Sequence, residues 1–127
     1  MYKLIVLLII PIVCFSQTSN QDKYQILDYK AFRKEVDLKN ILLIDVRTPK
    51  EFNESHIEGA VNVDFYQEDV LNSFFKSLDN TKPVYIYCRS GNRSRKTSDK
   101  LIDKGFIEIY DLKGGYLNWV TNQKKEN

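Results

Sequence analysis

The chain has 127 residues, with 19 lysines and arginines against 17 acids and a formal net charge of +2. So even a balance excludes a protein that grips nucleic acid or a membrane surface through bulk charge, and any basic site has to be local. The length allows one domain with a genuine core but not two.

Met1-Tyr2-Lys3 leads into an uncharged run from Leu4 to Phe15. This run is too short for a stable membrane span, which needs about 20 apolar residues. A short basic start, an apolar middle, and Cys14 and Ser16 at cleavage-site spacing predict a secretory signal peptide over residues 1–16. Export is then expected, to a bacterial periplasm. The alternative is a membrane-anchored lipoprotein lipidated at Cys14, against which stands the bulk of Val13. Cleavage after Ser16 removes Lys3 and Cys14, leaving a net charge near +1 and Cys88 as the only cysteine. No internal disulfide can then form. One His and one Cys cannot assemble a cysteine/histidine zinc cluster, and the absence of a C-x-x-C pair argues against thioredoxin-like exchange.

Residues 17–23 are polar and are expected to form a flexible lead. Tyr24 to Leu27 is a candidate strand, and Asp28 can cap a helix over Tyr29 to Val36 with Phe32 and Val36 on one apolar face. Ile41 to Ile44 is continuously apolar, as suits a strand buried on both faces. Thr48 then caps a short helix with Pro49 at its first position and an acid in the first turn. Val61 to Val63 is a short strand. Val70, Leu71, Phe74, Phe75 and Leu78 recur at helical spacing over Glu68 to Ser77.

Val84 to Tyr87 is the next apolar strand and delivers Cys88. A helix is expected from Ser94 to Lys104, with Ser98, Leu101 and Ile102 inward and Gly105 as its stop. Phe106 to Leu112 gives a last strand, Gly114-Gly115 a tight turn, and Tyr116 to Asn122 a closing helix carrying Trp119, before a polar tail at 123–127. Strands alternating with helices at these spacings predict an α/β fold over residues 24–122, a mostly parallel sheet of about five strands with helices on both faces. Such sheets bind ligands at the C-terminal ends of their strands. That rule brings Asp45, Arg47, Cys88, Gly114 and Gly115 to one edge.

The chemistry centres on Cys88 and the turn after it, Arg89-Ser90-Gly91-Asn92-Arg93-Ser94. The thiolate is the nucleophilic form, and an ordinary thiol titrates near about 8.5. A helix N-terminus favours an anion by roughly 0.3 to 2 kcal/mol, on the order of one pKa unit. Arg89 and Arg93 add positive charge, and successive backbone N–H groups from 89 to 93 can form an anion-binding nest. Gly91 permits a positive φ, while Ser90, Asn92 and Ser94 offer hydroxyl or amide partners. Arg93 is expected as the anion ligand and Arg89 as a charge at the rim. Asp45 and Arg47 are expected as a supporting ion pair. Such a cradle suits a small oxyanion whose outer atom meets the sulfur.

Four segments carry a resemblance to a known family: Ile44 to Arg47 with Glu51-Phe52, His56 to Asn62, Cys88 to Ser94, and Leu112 to Gly115 with Trp119. In this order they resemble the single-domain rhodaneses, the thiosulfate sulfurtransferases. One departure is Ser55, where the family often has glycine. The resemblance implies a relay in which Cys88 takes the outer sulfur of thiosulfate or a similar anion, holds it as a persulfide, and passes it to cyanide, a thiol or a protein acceptor. It implies no cofactor and no metal, and a structural role for His56. An alternative is a carrier module that holds persulfide for a partner without turnover. Phosphatases of similar fold place five residues between Cys and Arg. Here four separate Cys88 from Arg93, the length that goes with sulfur.

Overall fold

The computed structural model describes residues 11–14 and 19–127, so the expected leader and its cleavage point lie largely outside the described residues. The elements run α1 (Asn20–Lys23), β1 (Tyr24–Leu27), α2 (Tyr29–Asp37), β2 (Leu42–Asp45), α3 (Pro49–Glu54), β3 (Val61–Asn62), α4 (Glu68–Lys76), β4 (Val84–Tyr87), α5 (Asn92–Asp103), β5 (Ile109–Leu112) and α6 (Gly115–Glu126). The five strands form one sheet in the order β1-β5-β4-β2-β3, and every pairing is parallel. This is the expected α/β architecture.

Central β4 is buried along its whole length. Because successive strand side chains point to opposite faces, Val84, Ile86 and Cys88 enter one core cluster, with Leu71, Phe75, Leu101 and Phe106. Tyr85 and Tyr87 enter the other, with Phe32, Leu43 and Trp119. Each fully buried Leu, Ile or Phe side chain contributes about 1.5–3 kcal/mol relative to exposure. The alternation that builds these two cores therefore also aims Cys88 toward the α5 side of the sheet.

Local capping sets the helix starts. The Asp28 carboxylate accepts from the Ala31 N–H at 2.9 Å, and Thr48 and Glu51 form a reciprocal capping box at the start of α3. At the end of α5, Gly105 takes φ +89°. Its N–H donates to the Ile102 carbonyl, and the Phe106 N–H donates to that of Leu101. Phe106 therefore closes a helix terminus with a hydrophobic contact instead of starting the last strand, and β5 begins at Ile109.

Four further expectations are corrected. Asn20–Lys23, within the lead expected to be flexible, forms a single helical turn. The expected polar tail is helical as far as Glu126, because the Glu126 carboxylate accepts from the Tyr29 hydroxyl and the Arg33 guanidinium of α2 at 2.8 and 2.9 Å. Val70 is exposed, leaving Leu71 and Phe75 as the buried residues of α4. Finally, α5 starts two residues early because Gly91, at φ +114°, serves as its N-cap.

Candidate active site

Cys88 follows the last residue of β4, and α5 begins four residues later. Its side chain is buried, and Sγ accepts the Gly91 N–H at 3.1 Å. Sγ also lies 3.4 Å from the Ser94 hydroxyl, which in turn donates to the Gly91 carbonyl at 3.2 Å. The sulfur thus sits at the positive end of a 12-residue helix. Of the N–H groups expected around it, that of Gly91 is the one within hydrogen-bond distance. Arg89, Ser90 and Asn92 are exposed on the outside of the turn.

Arg93, expected as the anion ligand, is instead paired within the protein. Arg93 donates to both carboxylate oxygens of Glu51, at 2.7 and 3.0 Å, so its charge is already compensated. The hydrogen bonds from Arg93 are the main reason the Glu51 carboxyl falls to about 2, against the opposing effect of burial. Arg89 is exposed and has no carboxylate partner among the described residues. Uncompensated positive charge on this loop therefore belongs to Arg89, while Arg93 ties the loop to α3. Glu51 was visible in the sequence only as a capping residue. Its second role depends on α3 and α5 meeting across 42 positions of chain.

Asp45 and Arg47 form a buried clamp at the end of β2. The Asp45 carboxylate receives the Arg47 backbone N–H at 2.9 Å and the guanidinium at 2.8 to 3.1 Å. Arg47 also donates to the Ser55 carbonyl at 2.7 Å and lies 4.2 Å over the Tyr116 ring. Burial works against its charge, and the hydrogen bonds and negative charge of Asp45, together with Tyr87, more than offset that. The pair holds the α3–β3 connection and α6 against the sheet edge, as a supporting ion pair would.

Gly114 and Gly115 supply the third side. The Tyr116 N–H donates to the Cys88 carbonyl at 2.8 Å, and the Leu117 N–H to that of Arg89 at 3.1 Å. A Cβ on Gly115, at φ +62°, would sit 2.5 Å from the Arg89 carbonyl oxygen. Only glycine allows this close approach. The end of β4 is thereby gripped from behind while its sulfur faces α5.

His56 takes no part in the sulfur's contacts. Its ring stacks on Phe52 at 3.7 Å and its Nδ1 lies 2.8 Å from the Phe52 carbonyl oxygen. Trp119 packs edge-on against Tyr29 and Phe32 in the second core. A cavity of about 360 Å³ beside Ile41, His56, Gly59 and Trp119 includes no residue of the Cys88 turn. The assignment of the site therefore rests on chemistry and not on the size of a hollow. Among the described residues, no helix is long and apolar enough to cross a membrane.

A residue absent from the sequence-based site is Asp111 on β5. It is buried, with Oδ2 accepting the Tyr24 hydroxyl at 2.6 Å and Oδ1 without a partner. Burial pushes its carboxyl up to about 6, against the lowering influence of Tyr24, Ser94 and Arg95. The available signal was a lone charge inside the apolar run Ile109-Tyr110-Asp111-Leu112.

Comparison with known proteins identifies the family of the chain. The model of the rhodanese-like domain matches residues 28–122. A thiosulfate sulfurtransferase, GlpE, of Pseudomonas syringae is 32% identical over 85 residues, covering 67% of this chain and 77% of the relative. A tRNA uridine(34) hydroxylase of Pelagibacter ubique is 35% identical over 111 residues, which are 87% of this chain but 37% of that protein. The chain thus spans little more than a third of that larger relative. Among solved structures, a rhodanese-related protein from Thermoplasma volcanium is 25% identical with a TM-score of 0.66, over 78% of this chain and 93% of the other.

Proposed function

Because the chain belongs to the rhodanese-like family, we propose that it is a sulfurtransferase that carries sulfane sulfur as a persulfide on Cys88. The observation that supports this reading most directly is the placement of Sγ at the N-terminus of α5, with the Gly91 N–H at 3.1 Å and the Ser94 hydroxyl at 3.4 Å. The Gly91 N–H is a donor to an anionic sulfur fixed before reaction, and the Ser94 hydroxyl, which donates to the Gly91 carbonyl at 3.2 Å, is near enough to turn its proton to the sulfur when charge develops.

In the first half-reaction the Cys88 thiolate attacks the outer sulfur of thiosulfate. A new S–S bond forms to Sγ, the S–S bond of the donor breaks, and sulfite leaves with the electron pair. In the second, cyanide or a thiolate attacks the outer sulfur of the persulfide, and the Cys88 thiolate is regenerated as leaving group. Arg89 is the uncompensated cation at the rim and draws the dianionic donor inward. Arg93 keeps the loop in shape through Glu51.

Mature protein incubated with thiosulfate and cyanide should form thiocyanate, and Cys88→Ser should reduce it to the uncatalysed level. Thiocyanate production surviving that substitution would overturn the mechanism. A second reading, a carrier that delivers sulfur to a partner, is favoured by the burial of Cys88 at 1% exposure. A stable sulfur adduct on Cys88 by intact mass, without thiocyanate turnover, would select it. Export through the leader at residues 1–16 belongs to the same proposal, and fractionation with N-terminal sequencing of the recovered protein tests it.

A further inference from the structure

On the face of the sheet opposite the sulfur, Trp119 is 5% exposed and belongs to the second core with Leu43 and Ile57. Tyr29 and Phe32 pack edge-on against its ring at 5.2 and 6.5 Å, and the Arg33 guanidinium lies 5.6 Å from the ring centre. None of the hydrogen bonds made by α2, α6 or residues 52–57 takes up the indole N–H. Nor is it sealed from solvent, because Asp111 Oδ1 is the one side-chain polar atom among the described residues that is both sealed and unpartnered. The N–H therefore opens onto the cavity of about 360 Å³ that Trp119 lines. A largely buried donor without an acceptor is unfavourable, so an acceptor from outside the chain is favoured there.

The walls around that donor are apolar, formed by Val36 from α2, Ile41 and Leu43 at the start of β2, and Ile57. Lysine and arginine on the lining are matched in number by acids. Arg33 is held by Asp37 at 3.1 Å and by Glu126 at 2.9 Å, while Lys39 and Glu58 are both exposed. Neither sign of ion is favoured by that balance. The volume lies at the low end of the roughly 300–1,000 Å³ of small-molecule sites, which limits an occupant to a body of about one ring.

We propose that this cavity is a second ligand site, which takes a small uncharged molecule with an apolar body and one hydrogen-bond acceptor seated on the Trp119 indole N–H. Displacing water from the apolar walls supplies affinity. The N–H supplies selectivity, since a ligand of the same shape without an acceptor leaves it unpartnered. Cys88 belongs to the other core cluster, so the site stands independently of the sulfurtransferase reading.

Trp119 is the single tryptophan of the chain, so its indole gives one cross-peak in a nitrogen-15 NMR spectrum of the full-length protein. Acetophenone is the probe, and α-methylstyrene is its isostere with a methylene in place of the carbonyl oxygen. Acetophenone should move the indole proton downfield and saturate. At matched concentrations it should bind about threefold to tenfold more tightly than α-methylstyrene, the net worth of one hydrogen bond. Benzoate, with the same ring and a charged acceptor, should bind less tightly than acetophenone. Val36→Phe, which fills the cavity from α2, should abolish the response. An indole peak unmoved at about 10 mM acetophenone, well above a millimolar Kd, leaves only water on the N–H and overturns the proposal. Equal binding of α-methylstyrene, tighter binding of benzoate, or a full response in Val36→Phe overturns it as well. None of these readouts uses sulfur transfer, so loss of thiocyanate formation in a separate assay would defeat the sulfurtransferase reading alone.

Discussion

Two aspartates flank the central strand, Asp45 beside Tyr87 on β2 and Asp111 beside Ile86 on β5, and both are almost fully buried. Asp45 is saturated: a buried guanidinium and a backbone N–H occupy its carboxylate. Asp111 has one tyrosine hydroxyl and a free oxygen. Both are buried, and their partner sets differ. A carboxylate locked to a cation is a fixed part of the scaffold, and one held by neutral donors is free to take a proton.

Substitution should separate the two sharply. Asp45→Asn keeps the shape but leaves Arg47 buried without a counter-ion, which should cost about 3–5 kcal/mol and appear as a large fall in the urea midpoint at neutral pH. A loss below 1 kcal/mol would mean that the clamp is not structural. Asp111→Asn should do the opposite. The folded-state pKa of Asp111, about 6, lies above its ordinary 3.8. Its contribution to stability is therefore present below pH 4 and lost as pH rises through 6. At pH 8 the wild-type chain carries a penalty of about 2–3 kcal/mol that the variant lacks. Urea unfolding should show the variant more stable at pH 8, with the difference closing toward pH 4. A gap that is the same at both pH values would remove the titration from the account.

The smallest effect concerns Glu51, the third carboxylate near the loop and the most exposed of the three. Its folded-state value, about 2, lies below the ordinary 4.5. Its stabilisation is present above pH 4.5 and is lost as pH falls toward 2. Glu51→Gln should lower the thermal midpoint slightly at pH 7 and not at pH 2. It should also release Arg93 and alter KM for thiosulfate more than kcat. Identical KM values would show that Arg93 is remote from the bound anion.

Much of the fold could be read from local chemistry. The apolar runs at Ile41–Ile44 and Val84–Tyr87, the caps at Asp28 and Thr48, and the stop at Gly105 are each recognisable without neighbours, because each satisfies its own backbone groups. The Cys88 turn was equally legible, since a cysteine at a strand end before a basic glycine turn is a local pattern. Element ends were less legible. Phe106 reads as strand by residue type but packs as a helix terminus, and residues 123–126 read as tail until Arg33 and Tyr29 are brought beside Glu126.

The sequence by itself determined the alternation of strands and helices, the family, and the place of Cys88 at a strand end before a basic glycine turn, all of which depend on residues close together in the chain. Only the tertiary structure decided which arginine is neutralised, because Glu51 meets Arg93 through packing of α3 on the Cys88 loop. It also decided that Asp111 lies beside Ile86, two residues before Cys88, because β5 sits between β1 and β4 in the sheet. That placement puts the Tyr24 hydroxyl of β1 on the Asp111 carboxyl. Desolvation and partner choice are properties of where the chain returns to itself, and they turn one aspartate into scaffold and leave the other able to carry a proton.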